Sequence, residues 1–324
     1  MARPMLALLL IGLATAGAAL FWLFEIERQY RDGTLAYIKL TPRWGRSVEL
    51  SAADDQRPPA RPARPTIRIA TFNLERFDEH KLGQQSTVGV LIKVIGQFEV
   101  IALQGLAGAN QSVLLRLIEQ VNSAGRHYGV VVCAAPDRQP HETYLAVVYD
   151  QTAVEVDQST VHLVGDPAKR LRRRPLVAAF RVRGLPPERA FTFTLINVDV
   201  DPQRAAGELD ALAEVFRAVR DDGRNEDDII MLGHFAADQH SLGRLGQVPN
   251  LLAALTTLPS TVRGVARVDN ILMDRLATVE YTTRNGVVDL MRQFDLTLAA
   301  AQSISEHLPV WAEFSSYEGG LPVR

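Results

Sequence analysis

Read for apolar and polar spacing, the chain divides into three unequal parts. Residues 5–24, MLALLLIGLATAGAALFWLF, contain no charged side chain and are long enough to cross a bilayer as one helix. Residues 51–66, SAADDQRPPARPARPT, are rich in proline and arginine and predict an extended, semi-rigid spacer. From Ile67 onward, short apolar runs of strand length mix with stretches of helical spacing.

Within that last part Ile67–Phe72 alternates as a strand and then turns. Ser86–Phe98 has helical spacing with Ser86 at the N-cap position. Val100–Gln104 reads as a buried strand, and Gln111–Gly125 as an amphipathic helix stopped by Gly125. Tyr128–Ala134, Tyr144–Tyr149, Pro175–Val182, Ala190–Val200, Ile229–Leu232, Val268–Met273 and Leu308–Phe314 read as strands, and Arg204–Arg220 as a strong helix. Strands that alternate with helices but also meet through hairpin-like turns predict a mixed-sheet α/β or α+β domain.

The remaining organisation follows: a tail at 1–4, a transmembrane signal-anchor at 5–24, a juxtamembrane segment at 25–50, the linker at 51–66, one domain at 67–316 and a C-terminal tail at 317–324. Trp22 suits the membrane–water interface. Cleavage after Ala14-Thr15-Ala16 or Ala16-Gly17-Ala18 is the rival reading. The apolar run continues past both, which favours an uncleaved, single-pass anchor. Arg28, Arg31, Lys39 and Arg43 after the span pull the domain inward, whereas the four-residue tail before it favours an extracytoplasmic domain, the orientation adopted here.

Composition narrows the choice of partner. The 324 residues are 47% hydrophobic and 22% charged, as in an ordinary globular protein. A net charge of −2 argues against a general electrostatic clamp on nucleic acid. The single cysteine, Cys133, excludes an intrachain disulfide framework and a cysteine-rich zinc site.

One string stands out chemically. DDIIMLGHFAAD, residues 227–238, is a buried-strand pattern that ends at Gly233 and presents His234, backed by two alanines. With IATFNLERF, VIALQGL, YLAVVYD, RRRPLVAAF, FTLINVDVDP, VDNILMD and SEHLPVWAEF, in that order along residues 67–314, it resembles the endonuclease/exonuclease/phosphatase superfamily, the metal-dependent fold of pancreatic-type deoxyribonuclease. The resemblance implies a four-layer α/β (α+β) sandwich: two mixed β-sheets packed face to face, helices outside, and a site where strand ends converge.

It also implies roles, residue by residue. Asn73 matches an asparagine that helps order the metal site. Asp269 matches the aspartate that orients a final histidine, His307, and Arg173 matches a phosphate-contacting arginine, with Arg174 beside it. Glu142 matches a glutamate that orients a second histidine. Glu306 stands where the family has aspartate. Four positions depart outright: Gly105 replaces the metal-binding glutamate, Asp199 the middle histidine, His234 an aspartate and Ala236 an asparagine.

Losing one well-placed transition-state group costs about 10²–10³ in rate, and these departures touch metal, water and charge stabilisation together. The reading is therefore a membrane-anchored pseudoenzyme without a cofactor, acting as a binding or scaffolding module for an anionic ligand or a protein. Nucleic acid is among the candidate ligands. The basic run Lys169, Arg170, Arg172, Arg173 and Arg174 is either a solvated face or the border of the ligand groove. The alternative is a phosphoesterase, nuclease or phosphatase, with a rearranged site of Asp199, His234, Asp269, Glu306 and His307. Asp199, His234 and Glu306 would then hold a divalent cation, Mg²⁺, Mn²⁺ or Zn²⁺, the set suiting Zn²⁺ or Mn²⁺ better than Mg²⁺, with Glu75 or Glu142 as a replacement carboxylate.

Overall fold

The computed structural model describes residues 24–31, 34–42, 58–107, 111–133, 143–224 and 226–320, the first two segments by backbone alone. The expected membrane span lies outside the described residues except for Phe24, which opens a strand. Among the described residues no helix is long and apolar enough to cross a membrane. Glu142 also lies outside them.

In chain order the strands are β1 (Phe24–Arg31), β2 (Thr34–Pro42), β3 (Thr66–Phe77), β4 (Val100–Leu106), β5 (Tyr128–Val131), β6 (Tyr144–Asp150), β7 (Val154–Leu163), β8 (Leu176–Val182), β9 (Thr192–Asp199), β10 (Ile229–His234), β11 (Leu251–Ala253), β12 (Asp269–Asp274), β13 (Tyr281–Val287) and β14 (Val310–Ser315). The main helices are α1 (Gln85–Ile95), α2 (Ser112–Asn122), α3 (Ala205–Arg220), α4 (Leu290–Phe294) and α5 (Leu298–Ile304). β1 and β2 form an antiparallel hairpin where the sequence showed only weak patterning.

The other strands form two six-stranded sheets, ordered β13-β14-β3-β4-β6-β5 and β11-β12-β10-β9-β8-β7. Each has one parallel pair at its centre, β3 with β4 and β9 with β10, flanked by antiparallel neighbours. Ile69, Ala102, Val147, Phe193, Leu195, Leu232 and Ile271 belong to the cluster between the sheets. α1 and α2 cover the outer face of the first sheet through Val94, Leu114 and Leu117. α3 covers the second through Leu212 and Phe216. Two mixed sheets with helices around them form an α/β sandwich, as expected.

Two local readings change. The residue capping α1 is Gln84, not Ser86, which lies inside the helix; the Thr87 hydroxyl donates to the Gln84 side chain at 3.0 Å. The end of the proline-rich segment is also not free spacer. Arg61 pairs with Glu99 at 2.7 Å and with Asp150 at 3.1 Å, and its amide donates to the Thr152 carbonyl. At the other terminus Tyr317 bridges Ala190, so the chain stays bound to the sandwich beyond Ser316.

Candidate functional site

The site lies where both central parallel pairs end. β10 places His234 in register with Asp199 of β9 on one side and Asp269 of β12 on the other. Gly233 is required just before it: its φ is +143°, and a Cβ there would come within 2.0 Å of the Val198 carbonyl oxygen. The strand can thus press against β9 and still present His234 at its tip.

His234 and Asp199 do not hydrogen-bond to each other, although they are cross-strand neighbours. His234 Nδ1 donates instead to Asp269 Oδ1 at 3.0 Å, and His307 Nδ1 donates to Asp269 Oδ2 at 2.7 Å. The Ser260 hydroxyl also donates to Oδ2, at 2.8 Å, and accepts from the amides of Val268 and Asp269. The two imidazoles meet edge to face with centroids 4.9 Å apart. Burial pushes the Asp269 carboxyl up, but hydrogen bonds from both histidines outweigh it and leave the group below its ordinary value. Burial likewise opposes the charge on His307, and Asp269, helped by Glu75 and Asp199, raises its pKa overall. Asp269 is therefore an ionised acceptor, both Nδ1 atoms carry protons, and Nε2 is the nitrogen each ring has left for a ligand.

Asp199 turns to another partner. Arg173 Nε lies 3.2 Å from its Oδ2 and donates to the Thr143 hydroxyl at 2.9 Å. Burial raises the Asp199 pKa, with Arg173 opposing that rise most strongly among its neighbours. Arg174 is half-buried near Cys133, whose thiol burial pushes up to about 11. Arg170 of the basic run pairs with Glu214 of α3 at 2.7 Å. Glu306 is held outward by Gln302 at 2.7 Å and Arg263 at 3.6 Å, and Ala236 contributes no polar side-chain atom. The expected set of Asp199, His234 and Glu306 is thus dispersed among other partners. The structure gathers His234, Asp269 and His307 instead, each with a ligand atom within 4.8 Å of the others.

The first sheet supplies the opposite wall. Asn73 Oδ1 accepts from the Glu75 amide at 2.8 Å, and the Asn73 carbonyl accepts from Ser305, whose hydroxyl also receives the His307 amide. Glu75 sits at φ +58°, inside the irregularity where β3 shifts register against β4. Its backbone fills the space beside Gly105, where a Cβ would come within 2.5 Å of the Glu75 nitrogen. Gly105 itself has φ +71°. No side chain, and so no carboxylate, fits at that position without moving β3.

The magnesium ion that the fold implies does not fit this donor set. Mg²⁺ demands hard oxygen ligands in near-octahedral array. Both Asp269 oxygens already accept histidine hydrogen bonds, Asp199 is paired with Arg173, and position 105 is closed. Two imidazoles held by one carboxylate better suit Zn²⁺ or Mn²⁺.

Several contributors were not singled out in the sequence. Ser260 locks Asp269, and Thr143 holds Arg173. Gln104 donates across the sheets to Asn197 at 2.7 Å, and Asn197 donates onward to the Leu103 and Ala146 carbonyls. Lys81 donates to the carbonyls of Leu74 and Ile304, at 3.0 and 2.7 Å. The one available signal was a polar residue within an otherwise apolar strand, as at Gln104 and Asn197.

No family model matches the chain. Deoxyribonuclease-1-like 2 of Homo sapiens is 25% identical over 273 residues, spanning 75% of this chain and 90% of that protein. Among solved structures, a humanized D. rerio TDP2 superposes with a TM-score of 0.55 at 12% identity, covering 78% of this chain and all of that one. An endonuclease/exonuclease/phosphatase family protein from Bacteroides thetaiotaomicron gives 0.50 at 12% identity, covering 80% and 98% of the two chains.

Proposed function

We propose that the chain is a divergent member of the endonuclease/exonuclease/phosphatase superfamily, a reading supported by its likeness to deoxyribonuclease-1-like 2, and that its domain binds an anionic, phosphate-bearing ligand or a protein without hydrolysing it by magnesium chemistry. The observation carrying this reading is the closure of position 105 by the Glu75 backbone. A metal-anchoring carboxylate there is excluded by the backbone as well as absent from the sequence.

Recognition of an anion is supported by what remains. The raised pKa of His307 favours its cationic form while Asp269 holds its Nδ1, and Arg173 adds a second positive charge beside Asp199. A hydrogen bond from a charged donor contributes about 1.5–3 kcal/mol. The competing Asp199 carboxyl has a raised pKa, which weakens its hold on Arg173. A groove next to Ala236, lined by Ala205, Leu209, Pro259, Val265 and Arg267, leaves room for the rest of a ligand. Binding of a 5′-phosphorylated oligonucleotide, followed by fluorescence anisotropy, should weaken with salt. It should also be lost as pH rises through the elevated His307 value. Robust Mg²⁺-stimulated cleavage of DNA, RNA or bis(4-nitrophenyl) phosphate would refute the reading, and unchanged binding by Arg173→Glu would remove that arginine from the contact.

A second reading rests on the His234–Asp269–His307 arrangement: a hydrolase whose Zn²⁺ or Mn²⁺ is held by the two Nε2 atoms. Calorimetry with ZnCl₂ and MnCl₂ on the wild type and on His234→Ala tests it; absence of heat in both ends it. The proposal also keeps the domain tethered by the uncharged run at 5–24, as a single-pass protein with the domain extracytoplasmic. Carbonate extraction and protease protection of intact cells test that placement.

A further inference from the structure

At the far end of β10 from His234, a second polar cluster is buried. Asp228, just before β10, and Glu280, just before β13, are each 1% exposed, and each has a carboxylate oxygen with no hydrogen-bond partner. Glu318, beyond β14, completes a group whose oxygens lie within 4.8 Å of one another. The Thr278 hydroxyl, 2% exposed, lies against Asp228 and lowers its pKa as a weak donor, without reaching ordinary hydrogen-bond geometry to any group. Among the described residues, no lysine or arginine ion-pairs with any of the three carboxylates. Arg224, which acts on the neighbouring Glu226, is engaged by Asp222 at 2.6 Å.

Such a set is costly as it stands. Buried carboxylate oxygens without donors lose their hydration uncompensated, and like charges add repulsion. The backbone nevertheless holds them in place. The Gly319 amide donates to Glu280 Oε1 at 2.6 Å, the Thr192 amide to Glu318 Oε2 at 3.2 Å, and the carbonyls of Asp228 and Glu280 accept from Thr194 and Ser315. Only Glu318 faces solvent, which leaves one route in.

We propose that Asp228, Glu280, Glu318 and the Thr278 hydroxyl form a structural site for a hard divalent cation of the calcium class. All the available donors are oxygen. Ca²⁺ accepts six to eight oxygens in flexible geometry, so water entering past Glu318 completes the shell. Mg²⁺ demands a stricter octahedron and keeps more of its own water. Asp228 belongs to the second sheet, whereas Glu280 and Glu318 flank strands of the first. The ion clamps the two sheets together at the end opposite the anion cleft, independently of what that cleft does.

The test is thermal unfolding of the full chain in chelator and then in millimolar CaCl₂. Saturating Ca²⁺ raises the Tm of the wild type by about 5 °C. In Asp228→Asn the increment disappears, while stability in chelator equals or exceeds that of the wild type, because the asparagine is neutral in the fold without having to take up a proton. Glu318→Gln, on the exposed side, guards against a folding failure and raises the CaCl₂ concentration for half-effect about tenfold. An equal increment in wild type and both variants overturns the proposal. So does no increment in the wild type, the result expected if shared protons satisfy the cluster. Loss of the increment in His307→Gln with its retention in Glu318→Gln places the ion in the cleft and likewise overturns it.

Discussion

Asp269 and Asp228 are both buried carboxylates of the second sheet, at opposite ends of the β10–β12 pair, and their surroundings differ in one respect. Asp269 receives hydrogen bonds from a serine and from two imidazoles, and the imidazoles hold its pKa below the ordinary value despite burial. Asp228 is surrounded by carboxylates instead. Burial first, and Glu280 second, push its pKa from 3.8 to about 9. Depth alone therefore does not set the state of either group. A buried carboxylate with donors is an ionised organiser of its neighbours; one without donors holds a proton or takes up a cation.

The strongest way to break this contrast is Asp269→Ala. It leaves His234 and His307 without their common acceptor and should cost about 3–5 kcal/mol, read by urea denaturation at pH 7. The same variant should release both rings from their fixed tautomer, visible as altered Nδ1 and Nε2 shifts in ¹⁵N NMR. A loss under 1 kcal/mol would mean that the cluster contributes little to the fold.

Next in size is Gly105→Ala. A residue other than glycine at φ +71° is strained, and its Cβ would press on the Glu75 backbone. Together these should cost about 2–4 kcal/mol. Gly105→Glu should be at least as destabilising and restore no Mg²⁺-dependent cleavage. Restored cleavage would show that β3 yields easily and that the Glu75 backbone does not close position 105.

These two variants also show what could be read in the chain itself. Strands at the centres of the sheets, such as β4 and β10, are buried on both faces and appear as unbroken apolar runs. β7 and β13 are edge strands with many exposed positions, so neither carries that pattern. Asn73, Asp269 and His307 were legible because each lies in a recognisable local string. The His234–Asp269 bond was not, since it depends on the antiparallel register of β10 on β12. The left-handed Glu75 was hidden because nothing in a glutamate signals positive φ; Gly105 was its only trace. Asp228, Glu280 and Glu318 meet only through the topology.

A smaller effect with a distinctive sign comes from Asp228→Asn in chelator. Because the folded-state pKa is raised, the folded chain keeps a proton that the unfolded chain has released. Stability should therefore fall as pH climbs from 3.8 towards about 9. The substitution should have little effect below pH 3.8, raise stability at pH 7, where the asparagine is neutral in the fold without taking up a proton, and flatten the slope between 3.8 and about 9. Asp269 works in the other direction: its depressed pKa gives stability that is present above 3.8 and lost as pH falls through the lower folded value. Asp269→Asn should remove that acid limb and leave the alkaline slope intact. If one variant flattened both limbs, the two ends of the sheet would be electrostatically coupled.

The mildest change is Glu75→Gln. Glu75 is exposed and acts on His307 through space, whereas Asp269 acts through a 2.7 Å hydrogen bond as well as its charge. Removing the Glu75 charge should lower the His307 pKa, by less than Asp269→Asn does. Salt should erase the Glu75 contribution, because water and ions screen an exposed charge, and leave the Asp269 contribution largely in place. An NMR titration of His307 at low and high ionic strength separates the two. If the Glu75→Gln shift survived high salt, the glutamate would have to reach the ring directly. The carboxylate excluded at position 105 would then have a working substitute in Glu75, and the site would regain an acidic wall.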